Sequence, residues 1–207
     1  MTDPRTDTVA RGYDQIADRF AEWVTQIQDD PRRRFRQELL DRLPPGACIL
    51  ELGCGAGTSD THLLAKRFRV TGVDISAEQL QRARTNVPEA KFVQADMTEL
   101  ELPAGSFDAV AGFYSFNHVP RDLLGGLFSS IHGWLVPDGL FLTALGAGDM
   151  EGWTGEWLGT TMYFSGWSPE RNRELLQGAG FKLLIDEVIE MHEPEGPVQF
   201  HWVLASR

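Results

Sequence analysis

Short apolar stretches alternate with helical patterns from residue 47 to residue 144, and this alternation restricts the possible fold more than any other feature. Strands are predicted at 47–52, 70–73, 91–95, 107–113 and 140–144. Helices are predicted between them at 58–66, 76–86 and 121–135. Connections this short favour parallel neighbouring strands with helices packed on both faces of the sheet. The sequence therefore predicts an α/β fold with a Rossmann-like, doubly wound sheet.

The residues on either side of this region predict two N-terminal helices and a C-terminal hairpin. Apolar residues recur at three- and four-residue steps from Val9 to Ile27, which indicates an amphipathic helix. Asp30-Pro31 opens a second helix that reaches Leu43. After residue 144 the predicted order is a long loop rich in glycine and aromatic residues, a helix and two antiparallel strands, at 145–167, 168–178, 181–191 and 198–205. No repeat or interdomain linker is apparent, so a single domain over 1–207 is predicted.

The composition indicates a folded protein whose surface repels nucleic acid. Hydrophobic residues make up 42% of the 207 residues and charged residues 24%, which is typical of globular domains. The formal net charge is −11, and this charge disfavours contact with phosphate backbones at long range. The basic run from Arg32 to Arg36 is interpreted as the solvated face of a short helix. We therefore expect no nucleic-acid partner.

The cysteines and the apolar stretches favour a protein of a reducing compartment. Cys48 lies in an apolar run and Cys54 in a glycine loop, where buried small residues are expected rather than a disulfide or a metal site. The first seven residues lack the apolar core of a secretion signal. No stretch reaches the roughly eighteen apolar residues that span a bilayer. A cytoplasmic protein with no membrane partner is expected.

Three polar features follow the first three predicted strands, at the edge where an open parallel sheet binds ligands. The first is Glu51-Leu52-Gly53-Cys54-Gly55-Ala56-Gly57, in which alternating glycines let the backbone bend sharply. Asp74 ends the second strand, where a carboxylate can accept hydrogen bonds from both hydroxyls of a ribose. Asp96 follows the third strand, where it can accept from the exocyclic amino group of adenine. Together these features predict one nucleotide site.

The spacing of the glycines distinguishes among kinds of nucleotide site. Dinucleotide-binding sheets carry G-x-G-x-x-G, whereas this chain has G-x-G-x-G, so that Gly57 comes one residue early. No Lys-Ser or Lys-Thr pair follows, although a phosphate-binding P-loop requires one. The ligand therefore need not carry phosphates.

At these motifs the chain resembles the class I S-adenosylmethionine-dependent methyltransferases, from about Ala47 to Ala144. The similar segments are the first motif, the ribose-binding strand end, the adenine-contacting segment, the fourth-strand motif and the turn before the fifth strand: Glu51–Gly57, Gly72–Ser76, Gln94–Met97, Ser106–Val119 and Leu135–Gly139. The family's turn reads Leu-Lys-Pro-Gly-Gly, from which Val136 and Asp138 depart. The resemblance implies a mostly parallel seven-stranded sheet with an antiparallel C-terminal strand.

The same resemblance implies S-adenosylmethionine as the cofactor, no metal ion, and a set of residues around the cofactor. The implied cofactor-binding residues are Tyr13, Glu51, Gly53, Cys54, Gly55, Gly57, Asp74, Ile75, Asp96, Met97 and Phe113. Of these, Tyr13 is expected to contact the amino-acid end of the cofactor. The implied layout is an N-terminal helical lid, a cofactor-binding core, and a substrate lid with the C-terminal hairpin, at 1–45, 46–144 and 145–207.

The implied reaction is methyl transfer to an oxygen, nitrogen or carbon nucleophile of a small, apolar or aromatic molecule. His118 follows the fourth strand on the ligand edge and is the candidate general base, because histidine titrates near neutrality; packing beside the cofactor is its alternative role. The aromatic residues of 145–167 are expected to form a flexible lid over this acceptor. A nicotinamide-dependent oxidoreductase and a non-catalytic S-adenosylmethionine-binding domain stay open as other functions, and so does the oligomeric state.

Overall fold

The structure is a computed structural model that describes residues 3–58 and 60–207 of the chain. Its helices are α1 (Pro4–Val24), α2 (Arg32–Arg42), α3 (Asp60–Ala65), α4 (Ala77–Asn86), α5 (Leu124–Trp134) and α6 (Pro169–Gly178). Its strands are β1 (Cys48–Leu52), β2 (Arg69–Asp74), β3 (Lys91–Gln94), β4 (Phe107–Gly112), β5 (Leu135–Gly146), β6 (Met150–Trp157), β7 (Thr160–Gly166), β8 (Lys182–Glu193) and β9 (Gly196–Ser206). The predicted helix 58–66 includes Ser59, and the predicted lid 1–45 includes Met1 and Thr2; these three residues lie outside the described ones.

One mixed sheet of seven strands organises the molecule, in the order β3-β2-β1-β4-β5-β9-β8. β1 pairs in parallel with β2 and β4, β2 pairs in parallel with β3, and β4 with β5. β9 runs antiparallel to both β5 and β8. The predicted doubly wound sheet with an antiparallel C-terminal strand is confirmed. Strand order reverses between β1 and β4, and ligands of open α/β sheets bind in the crevice beside such a reversal.

Helices cover both faces of the sheet because its central strands are apolar on both sides. Successive strand residues point to opposite faces. Ile49 of β1 packs in one hydrophobic cluster with α2 and α3, whereas Leu50 packs in a second cluster with α5 and α6. In the first cluster the rings of Phe35 and Trp202 stack with centroids 4.4 Å apart, and both side chains are fully buried. Burial of one such large apolar side chain contributes about 1.5–3 kcal/mol, so the two clusters hold the strand ends rigidly in place.

The N-terminal helix α1 packs against α4 and β7. Gly12 lies directly on β7, because a Cβ at this position would stand 2.7 Å from the terminal methyl carbon of Met162. On the other side of α1, Asp14 accepts a hydrogen bond from the hydroxyl of Ser76 at 2.6 Å, at the start of α4. The predicted amphipathic helix is thus observed, although it ends at Val24.

The basic run of α2 is only in part the solvated face that the sequence predicted. Arg33 and Arg34 are exposed, whereas Arg32 and Arg36 bind a buried carboxylate. Arg36 and Arg32 both bind the carboxylate of Asp60 on α3, with N···O distances of 2.6 and 3.2 Å. Asp60 is only 3% exposed, so the two guanidinium groups balance a buried charge. Arg34 pairs with Glu187 of β8. The spacing of the arginines along α2 could not predict these ion pairs, because the carboxylates lie on other elements, α3 and β8.

The segment 145–167 is not a loop, and that prediction is wrong. β5 continues to Gly146, and β6 and β7 form an antiparallel two-stranded sheet of their own. The ring of Trp153 covers Gly155, where a Cβ would lie 2.2 Å from the ring. Glycine weakens strands, so the composition favoured a loop, but an aromatic ring packed over a strand glycine compensates for the missing side chain. Met162 and Tyr163 of β7 are buried in a small cluster with α1.

The turn signal Pro137-Asp138-Gly139 proves to be a bend within β5, which begins at Leu135 directly after α5. Asp138 has φ 61°, a left-handed conformation that Asp tolerates better than most residues. Elsewhere, Cys48 and Cys54 are both free thiols; Cys54 is buried, as predicted, whereas Cys48 is half-buried. None of the described helices has the length and apolar character needed to cross a membrane.

Candidate functional site

A cavity of about 1360 Å³ opens at the carboxyl ends of the parallel strands, bordered by α1. Small-molecule sites commonly enclose about 300–1,000 Å³, so this volume has room for two ligands side by side. The predicted site residues that line it are Tyr13, Glu51, Gly53, Cys54, Gly55, Asp74, Ile75, Asp96, Met97, Phe113 and His118. Gly57 does not line it: a Cβ there would lie 3.2 Å from Val87 at the end of α4. The glycine motif thus serves both ligand access and packing.

The glycine bend after β1 is fixed by its neighbours in the protein. Gly53 and Gly55 have φ values of 73° and 53°, which L side chains rarely adopt. A Cβ on Gly53 would also lie 2.2 Å from the Cβ of Ser115. The hydroxyl of Ser115 donates to the carbonyl oxygen of Leu52 at 2.8 Å, so the segment after β4 closes against the end of β1. The bend therefore brings the ends of β1 and β4 together.

Asp74, the last residue of β2, holds this bend in place. Its Oδ2 accepts the backbone N–H of Gly55 at 2.7 Å, and its Oδ1 accepts the backbone N–H of Ser76 at 2.9 Å. Burial raises the pKa of this carboxyl, and the donated backbone hydrogen bonds oppose the rise. A carboxylate has about four acceptor sites, so two bonds leave capacity for a pair of ligand hydroxyls.

Asp96 offers a buried acceptor atom toward the cavity, just past β3. Its Oδ1 accepts both the backbone N–H and the hydroxyl of Thr98, each at 2.8 Å. Its Oδ2 is buried and has no hydrogen-bond partner among residues 3–58 and 60–207. A buried acceptor without a partner costs about 1–3 kcal/mol, which a ligand donor would recover. The amino group of an adenine has the required chemistry.

Glu51 is a second buried carboxyl with an unused oxygen, at the end of β1. It is 4% exposed, and no partner for its Oε2 occurs in the described part of the chain. Burial, together with the neighbouring carboxylate of Asp60, raises the pKa of Glu51 to about 8. The amide oxygen of Asn117, also on the cavity wall, is likewise unpaired within the described ranges. A cationic or N–H-rich group is the ligand that these acceptors suit.

His118 lies on a short 3₁₀ turn, Phe116–His118, after β4, and it is engaged through both ring nitrogens. Nδ1 lies 2.9 Å from the carbonyl oxygen of Tyr163, and Nε2 lies 2.8 Å from the hydroxyl of Tyr13. A carbonyl oxygen can only accept, so Nδ1 carries the proton and Nε2 accepts from Tyr13. Burial lowers the pKa of His118 to about 4. At neutral pH the ring is therefore uncharged, with its Nε2 lone pair directed at a phenol.

The Tyr13 hydroxyl is held in an acidic, buried environment. Burial raises the pKa of this phenol well above its usual range, and the carboxylates of Asp74 and Glu193 raise it further. Asp74 belongs to the predicted nucleotide side of the cavity, whereas Glu193 ends β8 on the cavity wall. Tyr13 therefore lies within the electrostatic influence of both ends of the site. The sequence gave no signal for its pairing with His118, because the two residues are 105 positions apart.

Aromatic rings form the wall of the cavity near Tyr13. Ring centroids of Trp23 and Trp157 lie 5.3 Å apart, and those of Trp157 and Phe164 lie 5.6 Å apart. Phe20 packs against both tryptophans. Of the aromatic residues predicted to line an acceptor pocket, Trp153, Trp157 and Phe164 reach the cavity, whereas Trp167 stacks under Arg121 instead.

Two carboxylates at the hairpin between β8 and β9 also reach this wall, and the sequence indicated them only as a turn. Glu195 accepts from the indole N–H of Trp23 at 3.1 and 3.0 Å. Burial and the nearby Glu195 raise the pKa of Glu193 to about 7. A linker of Glu, Pro and Gly gives no pattern that distinguishes an exposed turn from a wall of a cavity.

Comparison with known proteins gives the same picture for the core. The family model described as a methyltransferase domain matches residues 49–139. An uncharacterized methyltransferase of Synechocystis sp. is 34% identical over 110 residues, which is 52% of each chain. The trans-aconitate 2-methyltransferase of Paracidovorax citrulli is 53% identical over 74 residues, 33% of this chain and 28% of that protein. The matches thus span about half or less of these curated relatives.

Solved structures match almost the whole chain. A complex of DhpI with S-adenosylhomocysteine aligns with a TM-score of 0.76 and 22% identity, over 99% of this chain and 98% of that one. The 1,6-didemethyltoxoflavin-N1-methyltransferase of Burkholderia thailandensis, solved with 1,6-didemethyltoxoflavin and S-adenosylhomocysteine, aligns with a TM-score of 0.69 and 21% identity over 100% and 91%. Likenesses at this level of identity establish the fold.

The matched core and the fold agree with the geometry of the strand tips. Residues 49–139 contain the glycine bend, Asp74, Asp96 and His118, and the whole-chain alignments extend the same architecture to α1 and β9. Residues 49–139 of the chain thus match a methyltransferase domain, and the chain as a whole has the fold of the class I S-adenosylmethionine-dependent methyltransferases.

Proposed function

We propose that this protein transfers the methyl group of S-adenosylmethionine to a small acceptor molecule. The observation that carries the proposal is a row of buried acceptor atoms along successive strand ends: Glu51 Oε2, the Asp74 carboxylate and Asp96 Oδ2. Their chemistry matches the amino group, the ribose hydroxyls and the adenine amino group of the cofactor, in that order. Solved structures of the same fold include two with S-adenosylhomocysteine, one of them a methyltransferase.

The remaining predicted residues would complete the cofactor site. Gly53 and Gly55 give the backbone its bend, and Cys54, Ile75, Met97 and Phe113 supply apolar surface on the cavity wall. The thiol of Cys54 is buried, and its pKa lies well above its usual value, which leaves it an inert packing group. The hydroxyl of Tyr13 already bonds with His118, so its contact with the amino-acid end of the cofactor stays a prediction.

When bound, the cofactor supplies an activated methyl group on a sulfonium. The residues of this chain then have to align the acceptor and exclude water, and alignment alone contributes up to about 7–11 kcal/mol in favourable cases. α1 and the β6–β7 hairpin border the cavity from two sides, which suits the lid roles proposed for 1–45 and 145–207. Trp23, Trp157 and Phe164 offer flat apolar surfaces to the acceptor.

The aromatic wall supports one class of acceptor. Aromatic rings at 5–6 Å spacing favour a planar, apolar or aromatic molecule, in which oxygen, nitrogen or carbon is the nucleophile. Some relatives bear the names of small-molecule methyltransferases, such as 2-methyl-6-phytyl-1,4-hydroquinone methyltransferase of Synechocystis sp.. A small-molecule acceptor is therefore proposed here as well.

The test is a turnover assay with purified protein and labelled S-adenosylmethionine. The acceptor panel contains phenols, hydroquinones, aromatic amines and carboxylic acids including trans-aconitate, and the readout is S-adenosylhomocysteine together with the methylated product. We expect at least one planar acceptor to give product at a rate far above the buffer background.

Two results would favour the other functions. Cofactor binding without turnover on any acceptor would indicate a non-catalytic binding domain, and binding of NAD in place of the sulfonium cofactor would indicate an oxidoreductase.

Asp108→Ala is the matched control for a variant of the cavity carboxylate Asp74. Asp108 also accepts a backbone N–H, that of Cys48 at 2.7 Å, but it does not line the cavity.

A further inference from the structure

The contacts of His118 limit how it can act as a base. The ring is 8% exposed, and its two nitrogens are occupied by the Tyr163 carbonyl and the Tyr13 hydroxyl. Of the two, only Nε2 has a lone pair, and that lone pair points at Tyr13 rather than at open space. An acceptor in the cavity therefore meets the phenol first.

We propose that the hydroxyl of Tyr13 takes the proton of the acceptor and passes its own proton to Nε2 of His118. The inference rests on the proposed methyl transfer and applies to acceptors that carry an O–H or N–H. The acceptor's electron pair forms the bond to the methyl carbon as the C–S bond breaks, and the electron pair of the broken C–S bond stays on sulfur. The acceptor's proton moves to the Tyr13 oxygen, and the Tyr13 proton moves to His118, which becomes an imidazolium.

The charges around Tyr13 require that the two protons move together. The phenol is buried, and the groups acting on it are the carboxylates of Asp74 and Glu193, both of which disfavour a tyrosinate. Tyr13 therefore cannot store the negative charge that would remain if it gave up its proton first. The Tyr13 hydroxyl can relay a proton, because a hydroxyl donates one hydrogen bond and accepts another at the same time.

The charge of the cavity favours His118 as the final proton acceptor. A positive charge on buried His118 is costly in the resting state, which is why its pKa is low. During transfer the positive charge of the sulfonium is lost as the imidazolium forms, so the net charge of the cavity does not change. The Tyr163 carbonyl accepts from Nδ1–H and stabilises the charged ring. His118 is thus a positioning residue that receives the proton through Tyr13.

This pair is assembled from three separate parts of the fold. Tyr13 comes from α1, His118 from the turn after β4, and the carbonyl of Tyr163 from β7. Gly12, the residue before Tyr13, lies in close contact with Met162, the residue before Tyr163, and this contact packs α1 against the same strand. Docking of the helical lid would therefore complete the proton path as well as close the cavity.

Five proteins test the inference: wild type, Tyr13→Phe, His118→Gln, the double variant that carries both changes, and the control Tyr114→Phe. The control removes a tyrosine hydroxyl from the same cavity, one that bonds with Asp30 at 2.6 Å. We measure single-turnover rates with a phenol acceptor and the Kd of S-adenosylhomocysteine by calorimetry. Tyr13→Phe and His118→Gln should each slow the phenol reaction by about 10²–10³-fold, with Kd unchanged within about threefold. The double variant should be no slower than either single one, and Tyr114→Phe should stay within about threefold of wild type.

Two further readouts separate proton transfer from a structural role. With trans-aconitate, whose ionised carboxylates carry no proton to remove, Tyr13→Phe should keep its rate within about fivefold. The rate with a phenol in H₂O/D₂O mixtures should depend quadratically on the deuterium fraction in wild type, since two protons move. A tenfold or greater loss of cofactor affinity in Tyr13→Phe, with the saturated phenol rate intact, would overturn the inference and assign Tyr13 to the cofactor. Wild-type phenol rates in Tyr13→Phe alongside inactive His118→Gln would overturn it in favour of direct action by His118.

The pair can also be tested without turnover. In ¹⁵N-histidine spectra of wild type, the His118 ring should be neutral at pH 7, with Nδ1 protonated and Nε2 unprotonated, and the Nε2 signal should shift in Tyr13→Phe. The opposite tautomer would refute the proton path on its own. Failure of wild type to methylate any acceptor would refute the proposed function. The ¹⁵N spectra would then still show whether Nε2 of His118 accepts the proton of the Tyr13 hydroxyl.

Discussion

The carboxylate of Asp74 accepts the backbone N–H of Gly55 at 2.7 Å, which joins the end of β2 to the bend after β1. The same carboxylate faces the cavity, so one residue both shapes the glycine bend and presents oxygen atoms to a ligand. Loss of Asp74 should therefore lower both the stability of the fold and the affinity for the ligand. Loss of a carboxylate that makes only a structural hydrogen bond should lower the stability alone.

Asp74→Ala should weaken binding of S-adenosylhomocysteine by about 1–3 kcal/mol, because the ribose hydroxyls lose a charged acceptor. Calorimetric titration measures the change. Asp108→Ala, which also removes an acceptor from a backbone N–H, should lower Tm without weakening the titration. Equal affinities in wild type and Asp74→Ala would remove Asp74 from the cofactor site.

Asp96 should distinguish adenine from hypoxanthine. Its free Oδ2 can accept from an amino group but repels a carbonyl oxygen, so wild type should bind S-adenosylhomocysteine at least about tenfold more tightly than its inosine analogue. In Asp96→Asn the amide can donate to that oxygen, and the two affinities should approach each other. Competition titrations of both ligands give the ratio, and retention of the wild-type preference in the variant would contradict this role.

Glu51 should couple cofactor binding to proton release. Its pKa is raised to about 8, so the carboxyl is protonated at pH 6, and binding of an ammonium favours the ionised form. Affinity should therefore rise with pH below this pKa, by up to about tenfold per pH unit, between pH 6 and 7.5 where an α-amino group stays protonated. Glu51→Gln should flatten the dependence. Equal slopes in both proteins would place the coupled proton elsewhere.

His118 should make the protein less stable in mild acid. Its folded-state pKa of about 4 lies below the ordinary value near 6.5, so between these values the unfolded chain binds a proton that the native state excludes. The free energy of unfolding should fall as pH drops from 7 to 5, with up to about 2 kcal/mol of the loss due to this residue. Urea unfolding of wild type and His118→Gln at the two pH values isolates this contribution. A difference that stays constant with pH would mean that His118 is not buried in the neutral form.

The parts of the structure that the sequence predicted are those encoded locally. Apolar strands such as 47–52 bury both faces, which marks them as central parallel strands, and parallel strands bring their carboxyl ends to one edge. Asp74 ends β2 and Asp96 follows β3, which are neighbouring parallel strands, so their convergence on one cavity followed from topology. The departure of Gly57 from the cavity did not, since packing against Val87 depends on where α4 lies.

The parts that the sequence missed depend on contacts between distant segments. Tyr13 and His118 meet because α1 docks beside β7, and no periodicity encodes that docking. Asp60 is recognisable as a buried counter-ion for Arg32 and Arg36 only once α2 and α3 are placed side by side. The β6–β7 hairpin was hidden by its glycines, because the ring of Trp153 supplies the packing that Gly155 lacks.

The central claim is that adenosine binds across the ends of β1, β2 and β3, and a titration of the Asp74→Ala/Asp96→Asn double variant with S-adenosylhomocysteine tests it most directly. Wild type should bind one equivalent and ignore NAD. The double variant, with its fold verified by circular dichroism, should bind about a hundredfold or more weakly, since the two losses act on separate parts of the ligand. Undiminished binding by the folded double variant, or wild-type protein that binds NAD and not S-adenosylhomocysteine, would contradict the account.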